Sequence, residues 1–144
     1  RKVLYTSVEK YPLEEETVRS LNYAVLTGNE GKRWFELIHS CDWGRPVEIT
    51  ENFILHKIHG DIVSEAIGGF YDLIYFDAFG PEKQPEMWTP EIFMKISGIT
   101  GPGGILVTYS VKGDVKRALR SNGFAVSLLP GPAGKRHILR AVKI

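Results

Sequence analysis

The chain of 144 residues has a single cysteine, Cys41. One thiol excludes an internal disulfide and a zinc cluster built from thiolates, and it fits a reducing cytoplasmic setting. Long apolar runs are missing too: none approaches the roughly 18 residues a membrane span needs, so no membrane partner is expected. The four histidines, His39, His56, His59 and His137, have no metal-ligand spacing with acids or with Cys41, and they read as structural. Acid is scarce at one end. Residues 101–144 carry 8 Lys/Arg against one acid, Asp114, whereas residues 1–100 carry 10 against 16. The net charge of +1 therefore conceals a basic final third, which is either a solvated surface or a contact for an anionic partner. Hydrophobic content of 43% and charged content of 24% are those of a globular domain, and the length suits one.

The chain is organised around Tyr71 to Trp88. Leu73-Ile74-Tyr75-Phe76 is too short for a helix and rich in β-formers, which predicts a strand buried on both faces. It ends at Asp77, followed by the glycine- and proline-bearing loop Ala78-Phe79-Gly80-Pro81 and then Gln84-Pro85. Thr89-Pro90-Glu91 starts a helix: Thr89 suits the N-cap, Pro90 the first turn, and Glu91 the helix dipole. Ligands of open α/β sheets bind outside the carboxyl ends of strands, which is where Asp77 falls.

Upstream, Lys2 to Glu9 reads as a strand closing on an acid. Pro12 opens a helix that runs to a stop at Gly28, with Leu13, Val18, Leu21 and Val25 facing the sheet. Trp34, Phe35 and Ile38 continue as core, and Gly44-Arg45-Pro46 breaks the segment. Val47-Glu48-Ile49 and Phe53 to His59 read as strands joined at Glu51-Asn52. Gly60-Asp61 ends the second, with Asp61 placed to cap a helix over IVSEAI. Downstream, Ile105 to Tyr109 is a buried strand, VKRALRSNGF a basic helix stopping at Asn122-Gly123, and Phe124 to Leu129 with His137 to Val142 an antiparallel hairpin. Strands alternating with helices predict an α/β fold, mostly parallel, with this hairpin at the end of the sheet.

Glu9, Asp61 and Asp77 thus stand at the ends of predicted parallel strands. In a nucleoside-binding sheet such acids accept ribose hydroxyls or an adenine amine, or face the reacting centre. A helix cap or a solvated loop acid looks the same in sequence.

The segments SVEKYPL, HGD, YFDAFGPEKQPEMWTPEIF, GGILVTYS, VKRALRSNGF and LPGPAGKR resemble the methyltransferase domain of the bifunctional tRNA wobble-uridine modification enzymes that make 5-methylaminomethyl-2-thiouridine. The likeness runs from about Tyr5 to Ala141, and DAFGPEKQPEMW is its most specific part. It implies a Rossmann-like class I fold over residues 1–144 as one domain, dependent on S-adenosyl-L-methionine. Its substrate would be tRNA, and an FAD-dependent oxidase domain or protein would act in the same pathway. By position, Glu9 would hold the ribose of the cofactor and Gly60-Asp61 its adenine. Asp77 would lie against both the cofactor and the acceptor, with Phe79 shaping the catalytic pocket. Lys83, Pro85, Glu86 and Trp88 would form the loop over it. Lys83, Lys112, Lys135 and Arg136 would lie along the RNA. The glycine-rich first loop of the family has no counterpart here, so the first strand and helix are expected to precede Arg1.

The implied chemistry is coherent. Methyl transfer from a sulfonium needs alignment at about 3–3.5 Å and little covalent help. The acceptor amine, taken like lysine at about 10.4, is protonated at neutral pH and must lose a proton before it attacks. Asp77 either takes that proton or orients the amine while water removes it. Phe79 either stacks on a splayed-out base or packs in its loop. Trp88 reads equally as core or as platform, and Lys116 and Arg120 share one helical face. Two other readings remain: a nicotinamide-dependent oxidoreductase, which also places an acid after its second strand, and an RNA-binding module of the same fold without catalysis.

Overall fold

A computed structural model describes residues 1–144, the side chain of Ala24 excepted. The chain divides into two compact units, Arg1–Glu65 and Ala66–Ile144, each described by itself.

The first unit holds strand β1 (Val3–Glu9), helices α1 (Glu15–Ser20), α2 (Tyr23–Leu26) and α3 (Gly28–Ser40), and strands β2 (Pro46–Thr50) and β3 (Phe53–His59). The sheet order is β1-β3-β2. The β1/β3 ladder is parallel and runs in register from Val3↔Phe53 to Glu9↔His59. The β2/β3 ladder is antiparallel and closes at Glu51-Asn52, where the two strands are expected to join. The predicted helix from Pro12 is split at Leu21-Asn22 into α1 and α2, neither long enough to be stable without packing. Gly28 does end α2, with the left-handed φ of 71° that glycine adopts without a Cβ penalty, and α3 starts on it.

The expectation that α3 carries core fails. Trp34 and Ile38 are 44% and 36% exposed, and no residue of the helix is buried. Leu13, Val18, Leu21 and Val25 instead line a cavity of about 1110 Å³ together with Tyr5, Ser7 and Leu55 of the sheet. Ile49 and Leu55 are buried in this unit, and so is Lys57. The Lys57 ammonium donates to the carbonyls of Ile38 (2.9 Å) and His39 (3.0 Å), satisfying the last turn of α3, where the helix leaves acceptors without partners.

The second unit holds β4 (Tyr71–Tyr75), a 3-10 turn (Pro85–Trp88), α4 (Pro90–Ile99), β5 (Thr100–Thr108), α5 (Gly113–Ser121), β6 (Phe124–Pro130) and β7 (His137–Lys143). The order is β4-β5-β7-β6, with β4/β5 parallel and both β7 ladders antiparallel, so the predicted terminal hairpin is present. Strand β4 is not buried on both faces. It pairs only with β5 and leaves Leu73 47% and Tyr75 64% exposed. The start of α4 is as the sequence predicts: Pro90 lies in the first turn and the Thr89 hydroxyl accepts from Ile92 N. One core holds the unit together, built from Phe76, Trp88, Ile92, Phe93, Ile96, Leu106, Val115, Leu119, Phe124, Leu139 and Ala141. Each full burial of a large apolar side chain contributes about 1.5–3 kcal/mol.

Candidate active site

The parallel register that aligns Glu9 with His59 brings the carboxyl ends of β1 and β3 together, and the Gly60 amide donates to the Glu9 carbonyl at 3.0 Å. The two motifs SVEKYPL and HGD therefore meet through a backbone hydrogen bond. The Glu9 carboxylate is exposed and accepts from the Tyr11 amide at 2.8 Å, which fixes its direction. Asp61 is half-buried. Its Oδ1 accepts from Val63 N at 2.9 Å and its Oδ2 lies 2.7 Å from the Lys10 ammonium. That contact raises the pKa of Lys10, the hydrogen bond to Asp61 being the largest cause. Asp61 does not cap a helix: IVSEAI forms only a turn, in which the amides of Ser64 and Glu65 donate to the Asp61 carbonyl. A sequence of one β-branched pair and two acids around Ser64 has too little propensity to propagate beyond it. Two carboxylates at adjacent strand ends, both able only to accept, suit the hydroxyl and amine donors of a nucleoside.

In the second unit, β4 delivers Phe76 into the core and Asp77 to the exposed strand end. The loop that follows is held from several sides. The Lys83 and Gln84 amides donate to the Gly80 carbonyl at 2.8 and 2.9 Å, and the Gln84 side-chain oxygen accepts from Phe79 N at 3.3 Å. Trp88, 8% exposed, proves to be core. It packs edge-on against Phe76 (5.1 Å, 85°), and its indole N–H donates to the Phe79 carbonyl at 2.7 Å. The Tyr109 hydroxyl donates to the Ala78 carbonyl, also at 2.7 Å. With its carbonyl tethered, Phe79 remains 72% exposed.

The basic residues divide into engaged and outward-facing. Lys112 pairs with Glu82 across the loop, which holds the Glu82 carboxyl below its ordinary value. Lys135 lies with its ammonium 4.1 Å from the centre of the Tyr109 ring. Lys83 and Arg136 are exposed. Sequence reasoning overlooked Lys10 and Tyr109. The signal for Tyr109 is a polar-tipped aromatic two residues after the apolar run Ile105-Leu106-Val107, just past a strand's carboxyl end.

Acids at the ends of parallel strands in an α/β chain, with an exposed aromatic beside one of them, are an arrangement used by the class of nucleoside-dependent transferases and oxidoreductases. Within that class the chain belongs to the S-adenosyl-L-methionine-dependent methyltransferases, whose family model matches residues 32–144. This decides against the nicotinamide-dependent alternative. The chain is 36% identical over 152 residues to the tRNA 5-methylaminomethyl-2-thiouridine biosynthesis bifunctional protein MnmC of Pseudomonas savastanoi pv. phaseolicola, covering 97% of this chain and 22% of that protein. It is 32% identical over 142 residues to the protein of the same name from Chromobacterium violaceum, covering 93% and 21%. The crystal structure of MnmC2 from Aquifex aeolicus is similar, with a TM-score of 0.72 and 26% identity over 97% of this chain and 43% of that one. The chain thus spans about a fifth of the length of the curated relatives it matches.

Proposed function

We propose that this chain catalyses transfer of a methyl group to the amine of an aminomethyl-uridine at the wobble position of tRNA. The reading is supported most by the loop from Asp77 to Trp88, which presents a carboxylate and an exposed aromatic ring two residues apart on a tethered backbone. S-adenosyl-L-methionine, the co-substrate of the family, supplies the methyl group as an electrophilic sulfonium. Glu9 and Asp61 hold its ribose and adenine by accepting hydrogen bonds, and Gly60 keeps the turn beside them free of a Cβ. Phe79 stacks on the extruded uridine. Asp77 faces the acceptor amine and accepts its proton or orients its lone pair. An anionic carboxylate also favours the ammonium form, so the orienting role and the basic role oppose each other in their effect on the amine. Lys83, Lys112, Lys135 and Arg136 contact the phosphate backbone.

The relatives are named as bifunctional, and an FAD-dependent oxidase acting in the same pathway is part of this proposal, as is a cytoplasmic location. The experiment is nucleoside mass spectrometry of aminomethyl-uridine tRNA incubated with the intact protein and S-adenosyl-L-methionine. A gain of one methyl on the wobble nucleoside is the expected result. Tight tRNA binding with no methylated nucleoside would leave a non-catalytic RNA-binding module in its place.

A further inference from the structure

Two consecutive carbonyls directly after Asp77 are held by aromatic side chains from elsewhere in the second unit. Trp88, from the 3-10 turn, takes Phe79; Tyr109, one residue past the end of β5, takes Ala78. The two aromatics also touch each other edge to face, 6.0 Å apart at 76°. Tyr109 has a third contact: its ring seats the ammonium of Lys135 at 4.1 Å, in the link between β6 and β7. A cation over an aromatic face is attracted by the ring quadrupole, so the position of Lys135 depends on where that ring lies. Tyr109 is half-buried, and burial first, then the charges of Asp77 and Glu82, raise the pKa of its phenol. At neutral pH the hydroxyl therefore remains protonated, and it donates.

We propose that Tyr109 is a positioning residue that couples the terminal hairpin to the acceptor loop: its hydroxyl sets the Ala78 peptide between Asp77 and Phe79, while its ring sets Lys135. A phosphate drawing on Lys135 and a base lying on Phe79 are then registered against one side chain. Neither function needs Tyr109 to touch a reacting atom. This inference rests on the tRNA methyltransferase reading and adds to it the residue that fixes the distance between backbone recognition and base placement. A ring that only fills space at the edge of the core accounts for the contact with Trp88 but not for the other two.

Two substitutions separate these roles. Tyr109→Phe keeps the ring under Lys135 and beside Trp88 and removes only the hydroxyl. Tyr109→Leu removes the ring as well. Single-turnover methyl transfer to aminomethyl-uridine tRNA is measured at saturating S-adenosyl-L-methionine, and tRNA Kd by filter binding, on the intact protein. Tyr109→Phe should slow transfer roughly tenfold or more, since displacement of the reacting groups by a fraction of an ångström is costly, while Kd stays within about twofold. Tyr109→Leu should slow transfer and also weaken tRNA binding, and that weakening should vanish in a Lys135→Ala background. An unchanged transfer rate in Tyr109→Phe overturns the inference, as does a Kd loss in Tyr109→Leu that persists without Lys135. A purely structural ring would lower the yield or Tm of Tyr109→Leu and leave rate and Kd of the folded protein unmoved. If the wild-type protein methylates and Tyr109→Phe matches it, only this inference falls. If the wild type does not methylate, the tRNA methyltransferase reading falls and takes the inference with it.

Discussion

Replacing Trp88 by Phe tests whether the acceptor loop is held by the core beneath it. The substitution keeps an aromatic ring at an almost fully buried site, so packing against Phe76 and Phe93 survives in part. Two things are lost. The Phe79 carbonyl loses its 2.7 Å indole donor, worth about 1 kcal/mol net and less if water replaces it. The benzene ring is also about three heavy atoms smaller than indole. At about 0.8 kcal/mol per buried methylene-sized group, partly offset by relaxation, the smaller ring adds about 1–2 kcal/mol. The expected destabilisation is therefore about 2–3 kcal/mol, read by urea unfolding as a lower midpoint at constant slope. Methyl transfer should fall further than the folded fraction does, because the Phe79 carbonyl loses its donor and the Ala78-Phe79 backbone is left to the Tyr109 and Gln84 contacts. A loss below about 1 kcal/mol would refute the reasoning, since it would mean that the indole neither fills the core nor anchors the loop.

Asp77→Asn should leave S-adenosyl-L-methionine binding within a few-fold by calorimetry while slowing methyl transfer roughly 10²-fold or more; unchanged turnover removes Asp77 from the chemistry. Charge reversal at Lys135 and Arg136 should weaken tRNA binding and flatten its dependence on salt, and an unaltered salt slope would place the hairpin away from the RNA backbone. Glu82 titrates below its ordinary 4.5 because Lys112 stabilises the carboxylate, so the stabilisation from this pair is present above the ordinary value and is lost as pH falls through the folded one. Lys112→Met should move the Glu82 titration upward by NMR, and a static pKa would show that the pair does not persist in solution.

What the sequence made legible was local. Thr89-Pro90-Glu91 marks a helix start through its own side chains and backbone, and α4 begins there. The glycine of Asn122-Gly123 marks a stop in the same way, with φ of 79° at Gly123. Errors arose where distant partners decide the outcome. Leu73 to Phe76 has the composition of a doubly covered strand, but cover depends on neighbours, and β4 pairs with β5 alone. Asp61 has the chemistry of a helix cap, yet the residues after it turn once and stop. Glu9 and Asp61 were recognisable as candidates singly. That their strand ends are adjacent follows from the β1/β3 register, which no local pattern encodes. The hydrogen bonds of Trp88 and Tyr109 to adjacent carbonyls likewise join residues 9 and 31 positions apart in sequence.

The uneven distribution of buried side chains has a consequence for how the molecule breathes. Eleven buried apolar residues form one cluster in Ala66–Ile144, whereas among the described side chains of Arg1–Glu65 the buried apolar ones are Ile49 and Leu55. Amide protons of β1 and β3 should accordingly exchange with solvent through shallow local openings, long before those of β5 and β7, which wait for global unfolding. A nucleoside that engages Glu9 and Asp61 would then slow exchange most in the strands that carry them, making deuterium uptake there a direct gauge of occupancy.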